Sequence, residues 1–166
     1  DSNYYVNHRT VPLKYQACCG MLGSLACGKN LMRCSDEELA EIRQYVDLYK
    51  KLRRVIHLGD LYRLASAFDH PYAIYEYVAQ DRSEAVVFVL GTSFQFATKM
   101  PPFLLPGLDS DAVYDITCYG ADRESFVTPV TPERHTLTGR GAAQVGIQVS
   151  LIGDFDCRIL HLVRRK

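Results

Sequence analysis

Residues 35–64, SDEELAEIRQYVDLYKKLRRVIHLGDLYRL, constrain the fold more than any other stretch of the chain. Ser35 followed by Glu38 has the form of a capping box, in which each side chain satisfies an unpaired amide of the first helical turn. Asp36, Glu37, Glu38 and Glu41 crowd the start, and Lys50, Lys51, Arg53 and Arg54 crowd the end, so charge opposes the helix dipole at both ends. Leu39, Ile42, Val46 and Tyr49 recur at three- and four-residue spacing, and Tyr45, Leu48 and Leu52 widen the stripe. Gly59 stops the pattern. The stretch predicts one long helix opening into a strand. Residues 1–34 are glycine-rich and irregular, whereas the chain beyond Gly59 reads mainly as strand. The helix therefore joins two architectures, and neither half holds a complete active site.

Ahead of the helix, Val11, Leu13, Tyr15 and Ala17 alternate as in a short strand, and Gly20, Gly23 and Gly28 punctuate the segment after it. GMLGSLACG is not a phosphate loop, because it lacks the Gly-Lys-Ser/Thr ending. It is not a nucleophile elbow either, since Ser24 follows Gly23 directly. Close backbone packing explains these glycines. Beyond the helix, strands are expected over 72–79 and 84–90, forming a hairpin around AQDRSE. A short strand at 94–97 gives way to Pro101, Pro102 and Pro106, which prevent regular pairing. Alternation resumes over 112–119, after the turn GLDSD. Gly139 and Gly141 mark another turn, and a last pair over 143–152 and 157–163 is expected around GDFD. Strands at this spacing, with no helical pattern between them, predict an antiparallel β-sandwich.

Composition narrows the function classes. The chain has 166 residues, enough for one well-buried domain or one domain and part of another. Nineteen Lys and Arg balance nineteen Asp and Glu, so no basic field favours nucleic acid. No apolar run approaches the roughly 20 residues that span a bilayer, so no membrane partner is expected. DSNYYVNHR has no signal-peptide pattern, and the opening without Met suggests a fragment. Four of the six cysteines crowd one apolar segment and lack the paired spacing of a structural zinc site. They are read as reduced core residues, which favours a reducing, cytoplasmic setting. No metal or cofactor is expected.

Few polar residues cluster. Asn7, His8 and Arg9 form the most suggestive group, with the chemistry to bond a sugar hydroxyl or a carboxylate. His57, His70, His135 and His161 stand singly, with no serine or cysteine placed as a nucleophile beside them. Asp109 with Asp111, and Asp154 with Asp156, resemble carboxylate pairs, but both sit in glycine-bearing turns where aspartate bonds its own backbone. Tyr72, Tyr75 and Tyr77 could present part of a sugar-stacking platform, although packing is the simpler account of them.

The segments VPLKYQACCGMLGSLACGKNL, SDEELAEIRQYVDLYKKLRRVIHLGDLYRL, DRSEAVVFV, LPGLDSDAVYDI and LTGRGAAQVGIQVSLIGDFDCRILHL, in that order, resemble the C-terminal portion of the α-galactosidases (melibiases) of glycoside hydrolase family 36. The resemblance covers nearly the whole chain. It departs at residues 17–19 and 26–29, where this sequence has cysteines, alanine and lysine in place of the family's histidine, methionines and second glycine pair. It implies a mainly β chain with an N-terminal α/β remnant. Residues 1–58 would be the end of a catalytic (β/α)8 barrel with its last helix, and residues 59–166 a C-terminal antiparallel β-sandwich.

The resemblance also implies a retaining hydrolase of terminal α-galactosides, working through two aspartates. Retention needs the two carboxyls about 5–5.5 Å apart. Both aspartate motifs precede the matched region, and Ser35-Asp36 and Ser110-Asp111 belong to a helix start and a turn. No catalytic residue is therefore assigned here. Asn7 and His8 sit where the family has a loop near its catalytic face, with different flanks, and are the candidate substrate-binding residues. The expected partner is an α-galactoside bound through the parent enzyme, whose homo-oligomerisation is left open. The alternative is a stand-alone carbohydrate-binding or interaction β-sandwich. Galactosyl transfer by the parent is a third option, because acceptor choice is set in the active site.

Overall fold

The long helix forms as its caps require. In the computed structural model, which describes residues 10–28, 30–93, 100–121, 127, 129–130, 132 and 135–166, α2 runs Asp36–Leu58. The Glu38 amide donates to Ser35 Oγ at 3.2 Å, and the Ser35 amide donates to Glu38 Oε2 at 3.1 Å. Ser35→Ala should remove about 1 kcal/mol of stability. The check is a urea melt, and an unchanged midpoint would show that the box adds nothing.

The apolar positions of α2 divide between two faces. Tyr45, Leu48, Leu52, Val55 and Ile56 are buried, whereas Ile42, Val46 and Tyr49 are half-buried and Leu39 is exposed. The expected stripe is thus shifted towards the C-terminal half, the half lying over the strands. Gly59 ends the helix for a steric reason rather than a conformational one. Its φ of −86° suits any residue. A Cβ there would lie 2.5 Å from the carbonyl oxygens of both Val55 and Val78.

The strand expected over residues 11–17 is instead helix α1, Leu13–Gly20. Pro12 sits at its N-cap, where a missing amide costs nothing, and the Tyr15 and Gln16 amides donate to the Pro12 carbonyl. Burial of Tyr15, Cys18 and Met21 at three-residue spacing overrides the short alternation. A single 3₁₀ turn, Leu31–Arg33, then leads to α2.

The strands are β1 Asp60–Ala65, β2 Tyr72–Val78, β3 Glu84–Gly91, β4 Val113–Tyr119, β5 Thr136–Thr138 and β6 Cys157–Arg164. They form one antiparallel six-stranded sheet in the order β1-β2-β3-β6-β4-β5. The expected hairpin is β2–β3, with Tyr72 opposite Gly91 and Val78 opposite Ala85. The expected pairing of 143–152 with 157–163 does not occur. Gly139–Gln144 is a short helix, α3, capped by Thr138 Oγ1, and Gly146 then takes a φ of +81°. β6 lies instead between β3 and β4, where five of its eight residues, Cys157 to Leu160 and Leu162, are buried.

Where a sandwich would have a second sheet, α3 and the irregular chain of residues 100–108 and 145–151 cover the face. The two irregular segments meet in an isolated bridge, Phe103 with Ile147. Pro101, Pro102 and Pro106 deny this segment the amides a ladder needs. Phe103, Leu105 and Leu108 pack there on Ile74, Val87, Tyr114 and Leu160. On the other face α1 and α2 pack on Ala73, Tyr77, Val86, Phe88 and Ile159. Among the described residues, no helix is long and apolar enough to cross a membrane.

Candidate functional site

Asn7 and His8 lie outside the described residues, so the structure places neither. The other expected constellations are structural. The Asp111 amide donates to Asp109 Oδ1 at 3.1 Å, and the two carboxylates pair with Arg140 and Arg164. Tyr72 and Tyr77 are buried on opposite faces of the sheet and make no platform. His161 Nε2 lies 2.6 Å from Glu84 Oε1. All six cysteines are free thiols. Cys18, Cys118 and Cys157 are buried as expected of core residues, but Cys19 and Cys27 are exposed. Burial pushes the Cys18 thiol well above its ordinary range, which makes it unreactive. No group of three His, Cys, Asp or Glu gathers to hold a metal among the described residues.

The N-terminal segment builds a groove of about 570 Å3 between α1, residues 25–28 and α2. Leu13, Ala17 and Leu25 form one wall, and Ile42, Val46 and Tyr49 form the other. Lys50 and Arg53 stand at one end. Both stripes of α2 are thereby accounted for: one is spent on the sheet, and the other lines this groove. Among the described residues, the lining includes no carboxyl and no imidazole, so the groove carries no acid–base pair. Its chemistry is that of an apolar contact surface with a cationic end.

Long-range polar bonds hold its walls in place. Tyr49 Oη donates to the Gly23 carbonyl at 2.7 Å, which leaves it to accept from His57 Nε2 at 2.6 Å. Tyr77 Oη donates to the Leu22 carbonyl. On the far side of α1, Lys14 Nζ lies 2.9 Å from Asp156 Oδ1, and Arg158 Nη1 lies 2.7 Å from the same oxygen. The Ile152 amide donates to Asp156 Oδ2 at 2.8 Å. Phe155, at a φ of +53° that bulky residues avoid, sets its ring edge-on to Tyr15 at 5.4 Å between centroids. Burial alone would raise the Asp156 carboxyl, but Arg158, the Ile152 amide and Lys14 together bring it below the ordinary range.

Asp156 was legible only as a turn residue. Its partner Lys14 is 142 positions away, although Arg158 two residues on was a local hint. Glu76 left no useful signal, being one glutamate in a strand otherwise aromatic and aliphatic. It is fully buried, with Oε2 accepting from the Gly107 amide at 3.3 Å and Oε1 without a partner among the described residues.

Comparison with known proteins supplies what this geometry does not. Residues 72–162 match the model of the glycosyl hydrolase family 36 C-terminal domain. Alpha-galactosidase AgaA of Geobacillus stearothermophilus is 30% identical over 129 residues, which are 76% of this chain and 18% of that protein. Probable alpha-galactosidase G of Aspergillus terreus is 26% identical over 158 residues, 95% of this chain and 20% of that protein. The fold superposes on AgaA in complex with raffinose with a TM-score of 0.84 at 23% identity, covering 99% of this chain and 21% of that one. The chain thus spans about a fifth of the length of these relatives.

Proposed function

The chain belongs to the glycosyl hydrolase family 36 C-terminal domain family, and on that premise we propose that it is the C-terminal part of a retaining α-galactosidase, with a supporting rather than a chemical role. In this reading residues 1–58 complete the catalytic barrel and residues 59–166 form the domain packed against it. Asn7 and His8 approach the galactoside, while the two catalytic aspartates reside in the portion preceding this chain. The parent works in a reducing compartment, where the exposed thiols of Cys19 and Cys27 stay free.

The observation that carries the reading is the bare second stripe of α2. Ile42, Val46 and Tyr49 line an apolar groove that none of the described residues fills, on the segment assigned to the barrel. A stand-alone sugar-binding module has less support, because Tyr72 and Tyr77 are buried.

The test supplies this chain to the catalytic portion of a family 36 α-galactosidase made without its C-terminal domain. Alone, the chain should give no turnover of an aryl α-galactoside. With the catalytic portion it should co-sediment and raise hydrolysis, and Val46→Asp should abolish both effects while leaving the far-ultraviolet circular dichroism unchanged. Turnover by the chain alone sinks the reading. Sugar-dependent NMR shifts without any association would replace it with the binding-module alternative.

A further inference from the structure

Glu76 sits on β2 beneath residues 100–108, opposite Tyr62 of β1 and Val87 of β3. It is fully buried, and a carboxyl in such a place is neutral unless a cation or several donors hold its charge. Among the described residues neither is present. β1 turns Tyr62 towards it, with Asp60 further along the same face. β3 offers Ala85, Val87 and Val89, and the covering segment offers Leu105, Gly107 and Leu108, none of which titrates. The Gly107 amide is the donor to Oε2, at a long 3.3 Å, and Oε1 has no partner among the described residues.

Gly107 is pressed onto this same patch. A Cβ there would lie 2.5 Å from Val78 Cγ2 and 2.7 Å from Tyr62 Cε2. The Phe103 and Leu105 amides lead away from the sheet: Phe103 donates to the Ile147 carbonyl and Leu105 to that of Ala142. At Gly107, then, the proline-rich cover is joined directly to a strand, and the joint is a carboxyl whose neutral form the closed site favours.

We propose that Glu76 and Gly107 form an acid-tightened clasp, in which lifting of the 100–108 cover from the sheet is coupled to release of the Glu76 proton to water. Closed, the site excludes water and favours the neutral carboxyl. Open, the carboxyl is hydrated and ionises in its ordinary range. Burial raises Glu76 from 4.5 to about 7, with the Gly107 amide only partly offsetting it. Between those two values opening becomes up to tenfold easier per pH unit, the full change from the acid to the alkaline limit is about 300-fold, and the effect levels off above about 7, where the closed carboxyl also ionises. The clasp goes beyond the proposed role in the enzyme, because it belongs to the opposite face of the sheet from the groove.

Native-state hydrogen exchange on the whole chain between pH 4.5 and 7.5 tests it, after correction for the intrinsic pH dependence of exchange. The opening constant of the Gly107 and Leu105 amides should rise about 100-fold across this range and flatten towards its upper end. At each pH it should exceed that of Phe88 in the sheet centre. Glu76→Gln keeps the shape and an acceptor for Gly107 but has no proton to release, so its opening should not vary with pH. Glu76→Met should behave alike. A rise that persists in both variants overturns the clasp, as does no rise in the parent chain. Equal opening constants for Gly107 and Phe88 at every pH also overturn it, because the cover would then move only with global unfolding.

Discussion

Asp156→Ala should lower the stability of the chain by about 3–5 kcal/mol at pH 7, the range for removing one partner of a buried ion pair. Arg158 is 7% exposed and would keep its charge with no carboxylate beside it. The Ile152 and Cys157 amides would lose their acceptor, and Lys14 its tie to the sheet. Lys14→Ala should cost far less, about 1 kcal/mol or below, because Lys14 is partly solvated at 37% exposure. Urea melts at pH 7 compare the two. A loss below about 1 kcal/mol for Asp156→Ala would mean that the cluster is not what fastens α1 to the sheet. The pH dependence has a definite sign. The folded Asp156 carboxyl is held below its ordinary 3.8, so its contribution is present above that value and is lost as pH falls through the folded one. Parent and variant should therefore converge in acid.

Glu76→Met should raise stability, by roughly 3 kcal/mol at pH 7. Methionine fills a similar volume and carries no charge to desolvate, and the bond it gives up is the long one from the Gly107 amide. Here the linkage runs the other way. The folded carboxyl is raised to about 7 from 4.5, so the parent chain is at no disadvantage below 4.5. It loses stability progressively as pH rises to about 7, where the unfolded chain ionises and the folded one resists. The gain from Glu76→Met should thus be near zero at pH 4 and complete by pH 7. Melts at those two values decide it, and a gain equal at both would mean that the benefit comes from packing and not from the buried carboxyl. Together the two acidic residues set opposite slopes, Asp156 weakening the fold in strong acid and Glu76 weakening it towards neutrality.

Much of the local structure was legible because it is written at short range. The capping box, the charge order and the glycine stop located α2, short apolar runs bounded by turn residues located β2, β3 and β6, and alternation located β4. Short-range pattern misled where two readings shared the same residues. Val11 to Ala17 alternate over four positions, but Pro12 and the burial of Tyr15, Cys18 and Met21 make the stretch helical. Residues 143–152 alternate as well, yet α3 takes up 143–144, Gly146 turns the chain at a φ of +81°, and Ile147 bridges to Phe103 instead of β6.

The sequence by itself determined the long helix, the hairpin after it, the antiparallel character of the rest and, through ordered motifs, membership of family 36. Only the tertiary structure decided that the strands make one sheet with β6 inside it, and that irregular, proline-rich chain replaces a second sheet. It alone decided which stripe of α2 meets the sheet and which lines a groove. It also turned two locally inconspicuous acids into the most consequential polar residues of the fold. The reason is separation along the chain. Lys14 and Asp156 are 142 residues apart, and Glu76 and Gly107 are 31 apart. A periodicity reports which side of an element is apolar, but the charge state of a carboxyl depends on what the distant chain brings against it.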